Sequence, residues 1–135
     1  DNGNLLIFDN GSRRKWSRVI ELDPRKGEVV WSYRAGKGAE PFFSDTRGSA
    51  QALPGGTVLI TESDTGRLFE VTREGRVVWE FWNPEVVAGK KSGVMERRLI
   101  YRAVRYGKGS LDIEEFKTLL GTAPPPARRG SPDPG

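Results

Sequence analysis

The chain of 135 residues contains no cysteine, no histidine and one methionine. Without cysteine, neither a disulfide framework nor a thiolate metal site can form. Without histidine, the chain has no imidazole to act as a nucleophile at neutral pH. No apolar run approaches the ~20 residues of a transmembrane helix, and no stretch has the layout of a signal peptide. Excess charge is also missing from most of the sequence. Residues 1–82 carry 12 Lys/Arg against 12 Asp/Glu, whereas residues 83–135 carry 10 against 6, so the net charge of +4 belongs to the last third. The alkaline isoelectric point therefore describes the tail and gives no support to an evenly basic nucleic-acid surface.

What the chain does have is one pattern written twice. Arg18-Val19-Ile20-Glu21-Leu22-Asp23, a turn, and Gly27-Glu28-Val29-Val30-Trp31-Ser32-Tyr33 return as Arg67-Leu68-Phe69-Glu70-Val71-Thr72, a turn, and Gly75-Arg76-Val77-Val78-Trp79-Glu80-Phe81. The offset is 49 residues from Arg18 to Arg67 and 48 from Trp31 to Trp79. A period of this size built of short strands is the signature of a β-propeller blade. The expected fold is therefore all-β: a partial β-propeller of four-stranded antiparallel blades with a short C-terminal extension. A ring needs about 4–8 blades. Since the chain holds fewer than three and starts at Asp1 rather than Met, it reads as the C-terminal piece of a longer protein.

Residues 48–82 read as one full blade: strands at Gly48–Leu53, Thr57–Glu62, Arg67–Thr72 and Arg76–Trp82, with turns at Pro54-Gly55-Gly56, Asp64-Thr65-Gly66 and Arg73-Glu74-Gly75. Residues 1–34 read as a partial blade lacking the first strand, with Leu5–Phe8 matching Val58–Thr61. Residues 97–106 are a closing segment, in which the alternation over Arg98–Tyr106 favours a strand over a short helix. The propeller part thus spans 1–106. A short helical extension is expected over 107–121, and a disordered Pro-rich tail over 122–135, which holds five of the nine prolines.

The run Phe42-Phe43-Ser44-Asp45-Thr46-Arg47-Gly48-Ser49-Ala50-Gln51-Ala52-Leu53-Pro54-Gly55-Gly56, with Leu59-Ile60-Thr61-Glu62, Gly66–Val71 and Val78-Trp79-Glu80-Phe81-Trp82-Asn83-Pro84, resembles the bacterial arylsulfotransferase-like β-propeller family. Ile100–Tyr106 looks like the segment near that family's propeller end. The resemblance implies transfer of sulfuryl groups from phenolic sulfates to phenols, through a covalent histidine intermediate. It also implies a periplasmic or secreted location. Because this chain has no histidine, no catalytic residue carries over. Either the histidines lie in blades outside the chain, or the activity is lost and the propeller binds a ligand or protein partner without catalysis.

By propeller geometry the first strand of each blade lines the channel, so Ser49 and Gln51 border it, with Arg47 and Asp45 at the mouth. Arg47 offers paired N–H donors to a sulfate; the plainer reading is an ion pair that fixes the loop. The matched pairs Trp31/Trp79, Tyr33/Phe81 and Glu21/Glu70 read as scaffold, the carboxylates making a hydrogen bond within each blade. Arg13-Arg14-Lys15 with Trp16 is a small basic loop, and Lys90–Lys108 a basic stretch; a solvated face accounts for both. Gly107–Phe116 resembles the back half of an EF-hand loop, but its first ligand positions would fall on Val104, Tyr106 and Lys108, which do not suit calcium. No metal and no cofactor is expected. The expected ligand is a small aromatic or sulfated molecule, and the rest of a propeller, or self-association, should cover the open sheet faces.

Overall fold

The computed structural model describes residues 2–89 and 94–106. The expected helix and tail over 107–135, and the EF-hand-like run, lie outside the described residues. The chain divides into two units, Asp1–Arg105 and Tyr106–Gly135, and the first is described below.

The all-β class is shown. Strands β1 (Leu5–Asp9), β2 (Arg18–Asp23) and β3 (Glu28–Tyr33) form a three-stranded antiparallel sheet. Strands β4 (Ser49–Ala52), β5 (Val58–Glu62), β6 (Arg67–Val71) and β7 (Val77–Trp82) form a four-stranded one. All seven fall within a residue or two of their expected positions. Each long hairpin closes on a glycine that turns with positive φ, Gly27 at 69° and Gly75 at 85°, a conformation that residues with a side chain rarely adopt. Among the described residues there is no α-helix, only a single-turn 3-10 helix at Ser63–Thr65, and no sheet closes on itself.

Two departures from expectation follow Pro84. Strands β8 (Val86–Ala88) and β9 (Met95–Arg97) form a separate hairpin that no pattern announced. Residues 98–106 do not form the expected strand. Their backbone groups find scattered partners instead of a ladder: the Arg98 and Ile100 N–H groups donate to the Glu85 and Ser63 carbonyls at 2.8 and 3.2 Å, and side chains take others. The Ala103 N–H donates to the Thr61 hydroxyl at 3.3 Å, and the Gln51 amide brackets Arg105, accepting its N–H at 2.8 Å and donating to its carbonyl at 3.0 Å.

Antiparallel register puts Leu6, Phe8, Val19, Glu21, Trp31 and Tyr33 on one face of the first sheet. That face packs on Ala50, Val58, Ile60, Phe69 and Val71 of the second, and Phe42, from the linker between the sheets, completes the core. Phe42 meets Phe8 at 5.5 Å and Phe69 at 5.3 Å, both edge-to-face, with Tyr33 at 5.9 Å. Each such ring pair adds about 0.5–1.5 kcal/mol beyond the area it buries.

At the margin of this core a latch joins the sheets. Arg73, from the β6–β7 hairpin, pairs with the buried Glu21 and lies 4.8 Å from the Trp31 ring. The Trp31 indole N–H donates to the Arg73 carbonyl at 2.8 Å. The same three residue types meet again one repeat later, where Arg105 pairs with Glu70 and lies 4.7 Å from the Trp79 ring. Both sheets also carry a register shift at the matched carboxylate, between Glu21 and Leu22 and between Glu70 and Val71. The equivalence ends at the outer rings. Tyr33 is core, but Trp79 and Phe81 stack on each other while 40% and 41% exposed.

Hydrogen bonds from Asn4 and Asn2 hold the Glu21 carboxyl below its ordinary pKa of 4.5, against the opposing effect of burial and with help from Arg73. A carboxylate depressed in the folded state stabilises above pH 4.5 and loses that contribution as pH falls through the folded value. Glu21→Gln should therefore cost about 1–2 kcal/mol at pH 7. In urea denaturation at fixed protein concentration, the gap from wild type should close in acid. A gap that stays constant with pH would show that the charge of Glu21 contributes nothing.

Candidate functional site

The linker Arg34–Gly48 has no ladder of its own, so side chains must satisfy its backbone. Glu62 accepts the Phe43 N–H at 2.9 Å, Asp64 accepts the Asp45 N–H at 2.7 Å, and the Ser17 hydroxyl accepts the Ser44 N–H at 3.0 Å. Asn10 donates to the carbonyls of Ser44 and Arg47 at 2.8 and 2.7 Å. These bonds deliver Arg47 to the head of β4 in a fixed position. Burial pushes the Glu62 carboxyl above its ordinary pKa, opposed by the Phe43 N–H and by Arg67. Arg67 in turn donates to Glu80 at 2.6 Å.

Beside Arg47 lies a cavity of about 320 Å³ lined by Thr46, Arg47, Gly48, Ser49, Tyr101 and Arg102. Two of the three residues expected from sequence, Arg47 and Ser49, meet here. Gln51 does not, because its amide is engaged by the Arg105 backbone. The Arg47 guanidinium donates to Asp64, not to Asp45, at 3.1 Å. This pair also borders a second cavity of about 760 Å³ against Val87, Ala88, Arg97 and Leu99. One pairing leaves most of the five guanidinium N–H donors of Arg47 unspent. Arg102 is exposed and has no ion-pair partner among the described residues.

Tyr101 and Arg102 were missed as site residues because they stand more than 50 positions after Arg47. The signal that could have found them was the basic run over 90–108, which composition alone assigned to solvent. Two guanidinium groups and a hydroxyl suit a tetrahedral oxyanion. Acid–base work is a different matter. Among the described residues no carboxylate lines the cavity, and no base pairs with the Ser49 hydroxyl. Among the described residues no group of three His, Cys, Asp or Glu side chains could hold a metal ion.

Residues 1–84 match the family model described as Arylsulfotransferase (ASST). The chain belongs to that arylsulfotransferase family. No curated protein and no solved structure gives a match. The matched stretch covers both large sheets and ends at Pro84, so Arg47 and Ser49 lie inside it and Tyr101 and Arg102 outside. Among the described residues of this arylsulfotransferase-family chain, no helix is long and apolar enough to cross a membrane.

Gly48, on the cavity wall, has φ 145°, and a Cβ there would collide with the Phe8 ring. Phe8 is itself packed against Phe42 and cannot swing clear at no cost. Gly48→Ala should destabilise by more than ~2 kcal/mol, and Phe8→Leu in the same chain should recover part of that loss. A Gly48→Ala variant with wild-type stability in urea would show that the close approach does not constrain the fold.

Proposed function

We propose that this chain is part of a β-propeller, with residues 1–34 and 48–82 as neighbouring blades and residues 97–106 closing the outer face of the second. The observation that carries this reading is the repeated latch. Arg73 of one sheet seals the face of the sheet before it, at Glu21 and Trp31, and Arg105 does the same at Glu70 and Trp79. Residues 98–105 therefore occupy, against the second sheet, the place that a following blade would take. The helical extension over 107–121 and the disordered tail over 122–135 belong to the same proposal.

In this reading the complete protein moves a sulfuryl group from a phenolic sulfate to the oxygen of an acceptor phenol, with its histidines in blades outside this chain. Arg47, Ser49 and Arg102 form a wall that receives the sulfate oxygens, and Gln51 positions the segment that carries Arg102. Family membership over residues 1–84 supports the substrate class, and the unspent guanidinium donors support the role of the wall. A periplasmic or secreted location goes with the same reading, to be checked by fractionation of the native host. A second reading, a non-catalytic propeller that binds its ligand or a protein partner, is favoured by one observation: among the described residues the cavity has anion donors but no base.

Sulfuryl transfer from 4-nitrophenyl sulfate to phenol separates the two. The complete protein should be active, Arg47→Gln and Arg102→Gln should each lower kcat/KM by roughly 10–100-fold, and the 135-residue chain alone should be inactive. Activity in the isolated chain would overturn the assignment of catalysis to other blades, and an inactive complete protein would leave the binding reading. Alone, the chain should self-associate through the exposed Trp79, Phe81, Leu5 and Ile7. A sharp melt of a monomer, independent of concentration, would count against the propeller.

A further inference from the structure

The chain has four asparagines, and two of them precede glycine, Asn2 and Asn10. Asparagine is chemically labile, most of all in this dipeptide. With no side chain in the way, the glycine nitrogen attacks the asparagine side-chain carbonyl and closes a succinimide ring. Asn83 is excluded because Pro84 has no N–H, and Asn4 because bulky Leu5, paired in the β1 ladder, follows it.

The fold treats the two candidate sites differently. Asn2 is exposed, and its side-chain oxygen accepts the Asn4 N–H at 3.0 Å, which folds the side chain over its own following peptide. Asn10 is half-buried, and its amide donates away from that peptide, to the Ser44 carbonyl at 2.8 Å and the Arg47 carbonyl at 2.7 Å. One amide cannot hold the linker and also fold back onto the next nitrogen in the chain. That nitrogen is free: among the described residues the Gly11 N–H has no hydrogen-bond partner. Glycine is needed there for a separate reason. Its φ is 66°, and a Cβ would strike the Trp16 carbonyl oxygen. The turn builds the reactive pair, and the linker restrains it.

We propose that Asn10-Gly11 is a self-modification site gated by the linker. When residues 44–47 lift away, the freed Asn10 side chain meets the Gly11 nitrogen. The bond from that nitrogen to Cγ forms, the Cγ–Nδ2 bond breaks, and ammonia leaves with the proton from the Gly11 nitrogen. Water then opens the ring to aspartate or isoaspartate, and no oxidant or reductant enters. The product carboxylate has no donor, yet it faces the two carbonyls that the amide held. The linker therefore cannot re-seat. It forms walls of the cavity beside Arg47 and of another, of about 380 Å³, lined by Trp16, Arg34 and Phe43 among others, so both loosen together. This holds whether or not the complete protein transfers sulfuryl groups.

The test is incubation of the 135-residue chain in mildly alkaline heavy-oxygen water, with fragment-ion mass spectrometry to place the conversion. Asn10 should convert at least about tenfold more slowly in the folded chain than in urea, and Asn2 within about threefold in the two states. Asp64→Ala frees the Asp45 N–H at a half-buried site. It should speed conversion at Asn10 several-fold and leave Asn2 unchanged. Proteolysis follows the population of the open form, so trypsin should cut Asn10→Asp after Arg47 roughly tenfold faster than wild type. Cleavage after the exposed Arg25 should stay within about twofold. The proposal is overturned if Asn10 converts as fast folded as in urea, is inert in urea, or ignores Asp64→Ala. It is equally overturned if Asn10→Asp leaves the Arg47 cut unchanged or raises the Arg25 cut as much.

Discussion

The structure depends on the burial of Phe42 between two sheets that could not stand apart. A three-stranded and a four-stranded sheet each have one face that water would penalise, and a single ring from the linker fills the gap between them. Because Phe42 belongs to the linker, burying it also fixes the backbone on either side. Phe43, Ser44 and Asp45 then donate to groups already anchored in the sheets, at Glu62, Ser17 and Asp64. The two basic cavities flank this same linker, one built on Arg34–Phe43 and the other on Thr46–Ser49.

Much of this was legible in the sequence because the repeat states both period and phase. Alternation over Arg18–Asp23 and Arg67–Val71, with glycine where each hairpin turns, left no competing assignment. The β8–β9 hairpin was illegible for a physical reason. Its strands have three residues each and all six are exposed, so no buried face imposes a pattern on them. Residues 98–106 alternate like a strand without being one, because their backbone bonds to scattered partners, the Glu85 and Ser63 carbonyls and the side chains of Thr61 and Gln51, which periodicity does not report. Of the candidate site, Arg47 and Ser49 were readable from one contiguous loop and strand. Tyr101 and Arg102 reach it only through tertiary structure.

The two cavities that flank the linker are alike in their chemistry. Both present cations and hydroxyl or aromatic groups, and among the described residues neither is lined by a carboxylate. A cavity of about 300 Å³ at the first latch differs, with Glu21 in its wall beside Arg73. The carboxylates are spent on the scaffold: Glu21 and Glu70 in the latches, Glu62 under the linker, Asp64 against Arg47.

The paired register shifts at Glu21 and Glu70 have a consequence for how the repeat can be exchanged. Each adds one unpaired residue to the outer strand, Val30 or Val78, between Trp31 or Trp79, opposite the carboxylate, and Val29 or Val77, opposite the residue after it. Since paired residues share a face, Trp31 and Val29 already face opposite ways, and the extra valine absorbs the change of phase between them. Deleting it would restore plain alternation and leave Trp31 and Trp79 on the face of their carboxylates. This is therefore the point at which a transplanted repeat can lose one residue and stay in phase, at the cost of the bend that the extra residue puts into the outer strand.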